Sequence, residues 1–529
     1  MRNMIKLVVN QWVRILYNGC MSDRQRILRI VVFLALFSTA LHGCSVFSTT
    51  PVAWSRTPTP FPTDPLPSKT AAPSPTYFLP TLAITPTPTS SNPGQLTDRG
   101  PWLVYASAGK DAIHVINGNG TGHLDIPLPE GTTLLDLQDL RNGASAGGQW
   151  LAVRVQKGEY DGLALGLIHL PDGTYKTLTP LLASALEQQI READPARRPE
   201  AGIAVTQPEA LSWSPNGRYL AFVAALNAVS SDLYVYDTVK DAIQRMSVNS
   251  RQAAKPMWSP DSQFVVAQDI ETFNYENGWL GTGVKAYAVM REDVRRLYGP
   301  AVESTGEIYL PWEDAQVFGV YTHTANGNKA VREVNLERRL EDTLYKGIFD
   351  QVAFDPQTRQ IVFTESQNTA RFSYFPLGLY MVSPGTDPIS IQAGTWSSVL
   401  WDQKSQHFYA RGSLGVLVMD ISGQFSILSG EGTPSPSPDG MWLACWGNGP
   451  GSKATGIHLY KSFKTMLQAI TTAPVEDFSW KPDSQGVVYT SGNSLYMATF
   501  PLLQPQLIGE NIALGAPASF GWVDTGTGK

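Results

Sequence analysis

The chain has 529 residues and a net charge of −6, and only 16% of its residues are charged, against roughly 25% in an average globular protein. Its 46 Gly and 38 Pro favour strands and turns over exposed helices. The acidic balance argues against sequence-independent binding to nucleic acid, and three widely separated cysteines exclude a disulfide framework or a four-thiolate zinc site.

Residues 1–20 hold an apolar stretch and Cys20 that fit no export pattern. Either translation starts at Met21 or the segment is an extra cytoplasmic piece. From Met21 the order is that of a secretory signal peptide: basic residues Arg24, Arg26 and Arg29, then twelve largely apolar residues from Ile30 to Leu41. Twelve are too few for the ~20 that a membrane-spanning helix needs. The run ends in Leu41-His42-Gly43-Cys44, which resembles the lipobox of bacterial lipoproteins. His42 departs from that pattern, where a small or hydroxyl residue is usual. The resemblance implies a signal peptide over 21–43, a diacylated Cys44 and an extracytoplasmic protein anchored to the bacterial membrane or envelope; the alternative is a transmembrane anchor with an incidental Cys. Cleavage before Cys44 would remove six basic residues and one acid, so the remainder carries −11.

Residues 44–98 read as a tether. Between Pro51 and Gln95, 26 of 45 residues are Pro, Thr or Ser. Such a composition cannot bury apolar surface, and proline biases it toward extended polyproline geometry, a semi-rigid spacer.

From residue 99 to 529 a period appears. Trp213-Ser214-Pro215-Asn216-Gly217, Trp258-Ser259-Pro260-Asp261-Ser262, Phe354-Asp355-Pro356 and Trp480-Lys481-Pro482-Asp483-Ser484 each precede an apolar run. Weaker copies start at Trp312, Trp401 and Ser437, and Leu134–Pro180 is a divergent unit. Copies lie about 35 to 55 residues apart, the range of a propeller blade with its loops. In each unit an aromatic ends one strand, Pro-Asp or Pro-Asn closes a tight turn, and a strand buried on both faces follows. The expectation is an all-β chain: a single β-propeller of eight or nine four-stranded blades with one short helical insertion around Leu182–Ala193. The end segments Trp102–Ser107 and Ala518–Asp524 supply complementary strands, so their pairing should close the ring. The repeated Trp-Ser-Pro-Asp-Gly-like motif resembles that of TolB-type, WD-repeat-like propellers, and Asn117–Gly122 resembles the family's turn between third and fourth strands. That resemblance implies a fold whose members are mostly binding modules, with some serving as gating domains of peptidases.

Catalytic patterns are sparse. Gly143-Ala144-Ser145-Ala146-Gly147 matches a nucleophile-elbow string, but a strand rather than a helix should follow it, so a turn is expected. His114 and His123 flank a turn and could face one another, though on so loose a spacing a surface hairpin is expected and no metal or cofactor is assigned. Glu209, Glu476 and Asp477 are carboxylates that sequence alone does not place at the axial channel. Cys445 lies in an apolar strand and reads as a buried thiol.

The expected function is a membrane-anchored binding or scaffold protein that presents a propeller face to a protein, peptide or glycan, without nucleic acid. A propeller-type glycan hydrolase and a structural envelope component are the alternatives. The second-to-third connections and the blade-to-blade connections share one face of a propeller and carry the long segments here. Candidate partner contacts on that face are Phe273, Tyr275 and Trp279 in Asp269–Thr282, and Phe372, Tyr374 and Phe375 in Ser366–Gly378.

Overall fold

The computed structural model describes residues 96–97 and 100–524, apart from 160, 194–198, 228–229, 248–251, 275–277, 291–293, 299–303, 325–328, 339, 366–376, 429–431, 449–454, 462–464 and 516–517. The chain folds into a nine-bladed β-propeller, each blade a four-stranded antiparallel sheet. Blades 2 to 9 begin with the strands Thr133–Leu134, Leu211–Trp213, Gln252–Trp258, Ser304–Trp312, Val352–Asp355, Trp396–Asp402, Thr433–Pro436 and Asp477–Trp480, and run outward in chain order. Residue type follows the layering. In blade 3 the second and third strands, Tyr219–Ala224 and Asp232–Asp237, are buried throughout, whereas the outermost strand Ala242–Arg245 is mostly exposed. Apolar clusters fill the gaps between blades. Between blades 5 and 6, Phe349 and Phe363 lie 5.3 Å apart, and Phe363 stacks on Tyr380 at 5.6 Å.

Blade 1 joins the two ends of the sequence. Its first strand is Phe520–Val523 and its next three are Trp102–Ala106, Ala112–Asn117 and His123–Pro127. Trp102 pairs with Val523 and Tyr105 with Phe520, so the expected closure is found and removes two open sheet edges. Asn117–Gly122 forms the expected turn between third and fourth strands, with Asn119 Oδ1 accepting from Thr121 N at 3.0 Å.

The repeated turn is also an inter-blade fastener. The indole N–H of Trp213, Trp258 and Trp480 donates to a backbone carbonyl of the preceding blade: Ser212 O and Ser435 O lie in innermost strands, and Gly143 O follows the helix Asp139–Asn142 of blade 2. The serine after the tryptophan closes the turn. Ser214 Oγ accepts from Tyr219 N at 2.9 Å, and Ser259 Oγ accepts from Phe264 N at 3.0 Å. The last turn position is left-handed, with Gly217 at φ 69° and Ser262 and Ser484 at 60° and 58°. Serine tolerates that strain because its hydroxyl has work there. Ser262 Oγ accepts from Asn216 N at 3.1 Å and Ser484 Oγ from Asp439 N at 3.0 Å, linking the turns of blades 3 and 4 and of blades 8 and 9.

Where one helical insertion was expected, the described residues hold three helices. These are α1 (Asp139–Asn142) inside blade 2, and α2 (Ser184–Glu192) and α3 (Glu200–Thr206) between blades 2 and 3. Helix α2 falls where expected; α1 and α3 are one or two turns long and carry too little periodicity to be read from sequence. Helix α1 lies against the closing strand: a Cβ on Gly521 would sit 2.0 Å from Leu140 O, so only glycine permits the approach.

Candidate functional site

The insertion between blades 2 and 3 gathers the loops of three blades. In blade 2, Gly162 N donates to Glu187 Oε1 of α2 at 2.5 Å. Leu181–Ala183 pairs with the connection after the second strand of blade 3, through Ala183 N to Ala225 O and Ala225 N to Leu181 O. In blade 4, Glu200 at the start of α3 accepts from Thr272 Oγ1 at 2.8 Å and from Phe273 N at 2.9 Å. Leu186 and Ile190 of α2, Ala204 and Val205 of α3, and Ile270 and Trp279 of blade 4 share one buried cluster. The result is a packed platform on the face that carries second-to-third and blade-to-blade connections. Propeller closure does not require it.

A cleft of about 270 Å³ opens where the insertion enters blade 3. Asn142, Glu209, Ser212, Trp213 and Pro256 contribute to its walls. Glu209 and Asn142 are exposed, and a register shift in the first strand of blade 4 between Ala254 and Met257 sets Pro256 into the wall. Arg154, from the second strand of blade 2, holds both sides of the cleft. It is fully buried; its Nε and Nη2 donate to Asp139 in α1 at 2.7–3.1 Å, and its Nη1 donates to Val205 O at 3.1 Å and Gln207 O at 2.6 Å. A cation at the C-terminal carbonyls of α3 also meets the negative end of that helix. The cleft offers a carboxylate, an amide, a hydroxyl and an indole edge, groups that recognise cationic or hydroxyl-rich ligands.

The segment Asp269–Thr282, expected as a loop, is mostly strand: Phe264–Asn274 and Gly278–Ala288 form a long hairpin, with Phe273 opposite Trp279. The two rings meet edge to face at 4.8 Å, Trp279 is only 8% exposed, and Phe273 is half-buried against the same cluster. These two aromatics therefore pack inward instead of projecting as free anchors, because the helical insertion covers them. Tyr275, Phe372, Tyr374, Phe375 and Cys44 lie outside the described residues.

Ser145 lies in the expected turn, and its contacts make it the blade 2 copy of the turn serine, an equivalence the altered flanking residues conceal in the sequence. Its Oγ accepts from Trp150 N at 3.0 Å and its N donates to Trp150 O at 2.8 Å, the pattern of Ser214 with Tyr219. Asp477 is buried and accepts from Arg141 Nη2 at 3.0 and 3.1 Å and from Ser519 N at 2.7 Å, fastening blade 9 to α1 and the closing strand. Burial pushes its carboxyl above the usual range despite those donors. Glu476 is exposed, and only Glu209 of the three carboxylates lines the cleft. Burial pushes the Cys445 thiol up to about 12, so it stays neutral at physiological pH. His114 and His123 do face one another, and the structure adds Asp125 between them. The signal for Asp125 was its i, i+2 spacing from His123 on one strand.

No protein-family model matches the sequence, and no curated protein matches it. Solved structures of similar shape include a eukaryotic initiation factor, 13% identical over 81% of this chain and 99% of that one, with a TM-score of 0.49. A prolyl endopeptidase is 11% identical over 70% of this chain with a TM-score of 0.38, and this chain spans only 50% of its length. A TolB-type protein from Agrobacterium tumefaciens is 15% identical over 48% of this chain and 80% of that one, with a TM-score of 0.29. At these identities and TM-scores none of them bears on what this chain does.

Proposed function

We propose that the protein is a membrane-anchored extracytoplasmic binding module, held through a lipidated Cys44 and a proline-rich tether, that captures a peptide, protein or glycan at the platform and cleft of blades 2 to 4. The observation that carries this is the platform itself. One insertion binds the same-face loops of three consecutive blades and ends at a cleft with an exposed carboxylate and amide. Rigid scaffolds that position variable connections are the usual setting for binding sites.

The test has two arms. Glycan and peptide arrays are probed with the full chain and with Glu209→Gln/Asn142→Ala, which alters only exposed cleft residues. Capture that is lost in the variant at an unchanged melting temperature supports the cleft; equal capture by both refutes it. Membrane fractionation of Cys44→Ala tests the anchor, which fails as an idea if the variant stays membrane-bound and is processed normally.

A further inference from the structure

On the closing blade, three metal-ligating side chains converge away from the cleft. His114 lies on the third strand and pairs directly with Asp125 on the fourth; Ile116 pairs with His123. Side chains two residues apart on a strand share a face, so this register places both imidazoles and the carboxylate on one side of the sheet. His114 Nδ1 and His123 Nε2 each lie 2.5 Å from the same oxygen, Asp125 Oδ1. The ligand atoms all fall within 4.8 Å of one another, and the two imidazoles stack with centroids 5.5 Å apart.

The surroundings are built to hold that arrangement. Tyr105, opposite His114 on the second strand, stacks on its ring at 5.0 Å. Tyr105 in turn lies against Gly509 in the outermost strand of blade 9, where a Cβ would come within 3.0 Å of its ring. Stacking on Tyr105, itself wedged against Gly509, limits how far the His114 ring can turn. The Asp125 side chain is 61% exposed, which leaves it room to adjust.

From this geometry we infer that His114, His123 and Asp125 form a zinc site with an open fourth position. Two imidazole nitrogens and one carboxylate oxygen are three protein ligands of the kind zinc takes when a water or an incoming group completes the tetrahedron. Ligand atoms about 2.1 Å from a tetrahedral zinc are spaced by about 3.4 Å. The contacts of 2.5 Å would thus widen by about 0.9 Å and the two imidazole nitrogens, within 4.8 Å of one another, would settle at the same spacing, which takes rotation of Asp125 together with the imidazoles. The bound ion would tie the third and fourth strands of blade 1 together and offer its fourth position to water or to a donor from a partner.

The test uses the full chain without a histidine tag, stripped with chelator and titrated with Zn²⁺ by calorimetry. One Zn²⁺ per chain is expected, with a rise in melting temperature and, on Co²⁺ substitution, the visible absorption of a four-coordinate ion. Loss of an outer-layer partner of a metal ligand costs about 10–100-fold in affinity, so Asp125→Asn, which removes a direct ligand, should cost at least that much. His114→Ala/His123→Ala should abolish binding while melting like the metal-free parent. Zinc binding of equal strength in that double variant, no binding by the parent, or Mg²⁺ bound as tightly as Zn²⁺ would each overturn the assignment.

Discussion

Replacing Arg154 by Met tests how the cleft is held. The guanidinium and Asp139 are both fully buried, so the substitution strands a carboxylate in the interior with its counter-charge gone. It also releases the carbonyls of Val205 and Gln207. Breaking a buried pair from one side costs about 3–5 kcal/mol, because the remaining charge is neither solvated nor paired. Unfolding entropy of about 2.1 cal/mol/K per residue, over roughly 430 propeller residues, gives about 0.9 kcal/mol/K. The melting temperature should then fall by roughly 3–6 °C if the ring melts as one unit. Scanning calorimetry of Arg154→Met, Asp139→Asn and the double variant completes a cycle. The double variant should lose less than the sum of the singles, since a buried amide needs no counter-charge. A drop below about 1 °C for Arg154→Met, or strict additivity, would show that the pair bears no load.

Three other outcomes are expected. Ser262→Ala keeps the left-handed backbone but removes the acceptor for Asn216 N, so its urea midpoint should reflect a loss of about 1–3 kcal/mol, with Ser262→Gly milder by about 1 kcal/mol because glycine relieves the strain; an alanine variant as stable as the parent sinks the idea. Trp279→Ala should destabilise the protein by about 3–5 kcal/mol, read as a lower melting temperature; an unchanged melt combined with lost ligand capture would return Trp279 to a contact role. Burial and the neighbouring Glu333 carboxylate raise Glu313 to about 7. The folded chain therefore keeps this proton after the unfolded chain has released it near pH 4.3, and stability declines as pH rises from there to about 7, then levels off. Glu313→Gln should flatten that decline and melt higher than the parent at pH 8 but not at pH 4, and identical pH profiles would contradict the assignment.

The architecture was legible because it repeats. Each blade spends its strongest signals locally, an aromatic, a Pro-Asp turn and an apolar strand, and these recur often enough to reveal blades and ring closure. Blade 2 was the hardest to read because its turn serine, Ser145, follows Ala144 instead of Trp and precedes Ala146 instead of Pro. The candidate site was far less legible. Glu209 reaches the cleft only through the path of an insertion, and Arg154 meets Val205 from 51 positions away. Trp279 looked like a loop aromatic because nothing in its own segment announces that α3 will lie across it. The His114–Asp125 contact needed the register of two strands, which a one-residue slip would destroy.

Closing the ring through blade 1 also sets an order of events. Trp102–Ala106 and Phe520–Val523 are about 420 residues apart, yet each is the other's only route to a completed sheet edge on that side. At ~5–20 residues per second, roughly 20–80 seconds of synthesis separate the two strands, an interval in which the earlier one keeps one edge of backbone N–H and C=O groups unpaired. Local hairpins can form at once, but the fastening of blade 9 to blade 1 has to wait. The nascent chain therefore passes through an open arc whose leading strand has a free edge, the kind of edge on which mispairing between chains starts.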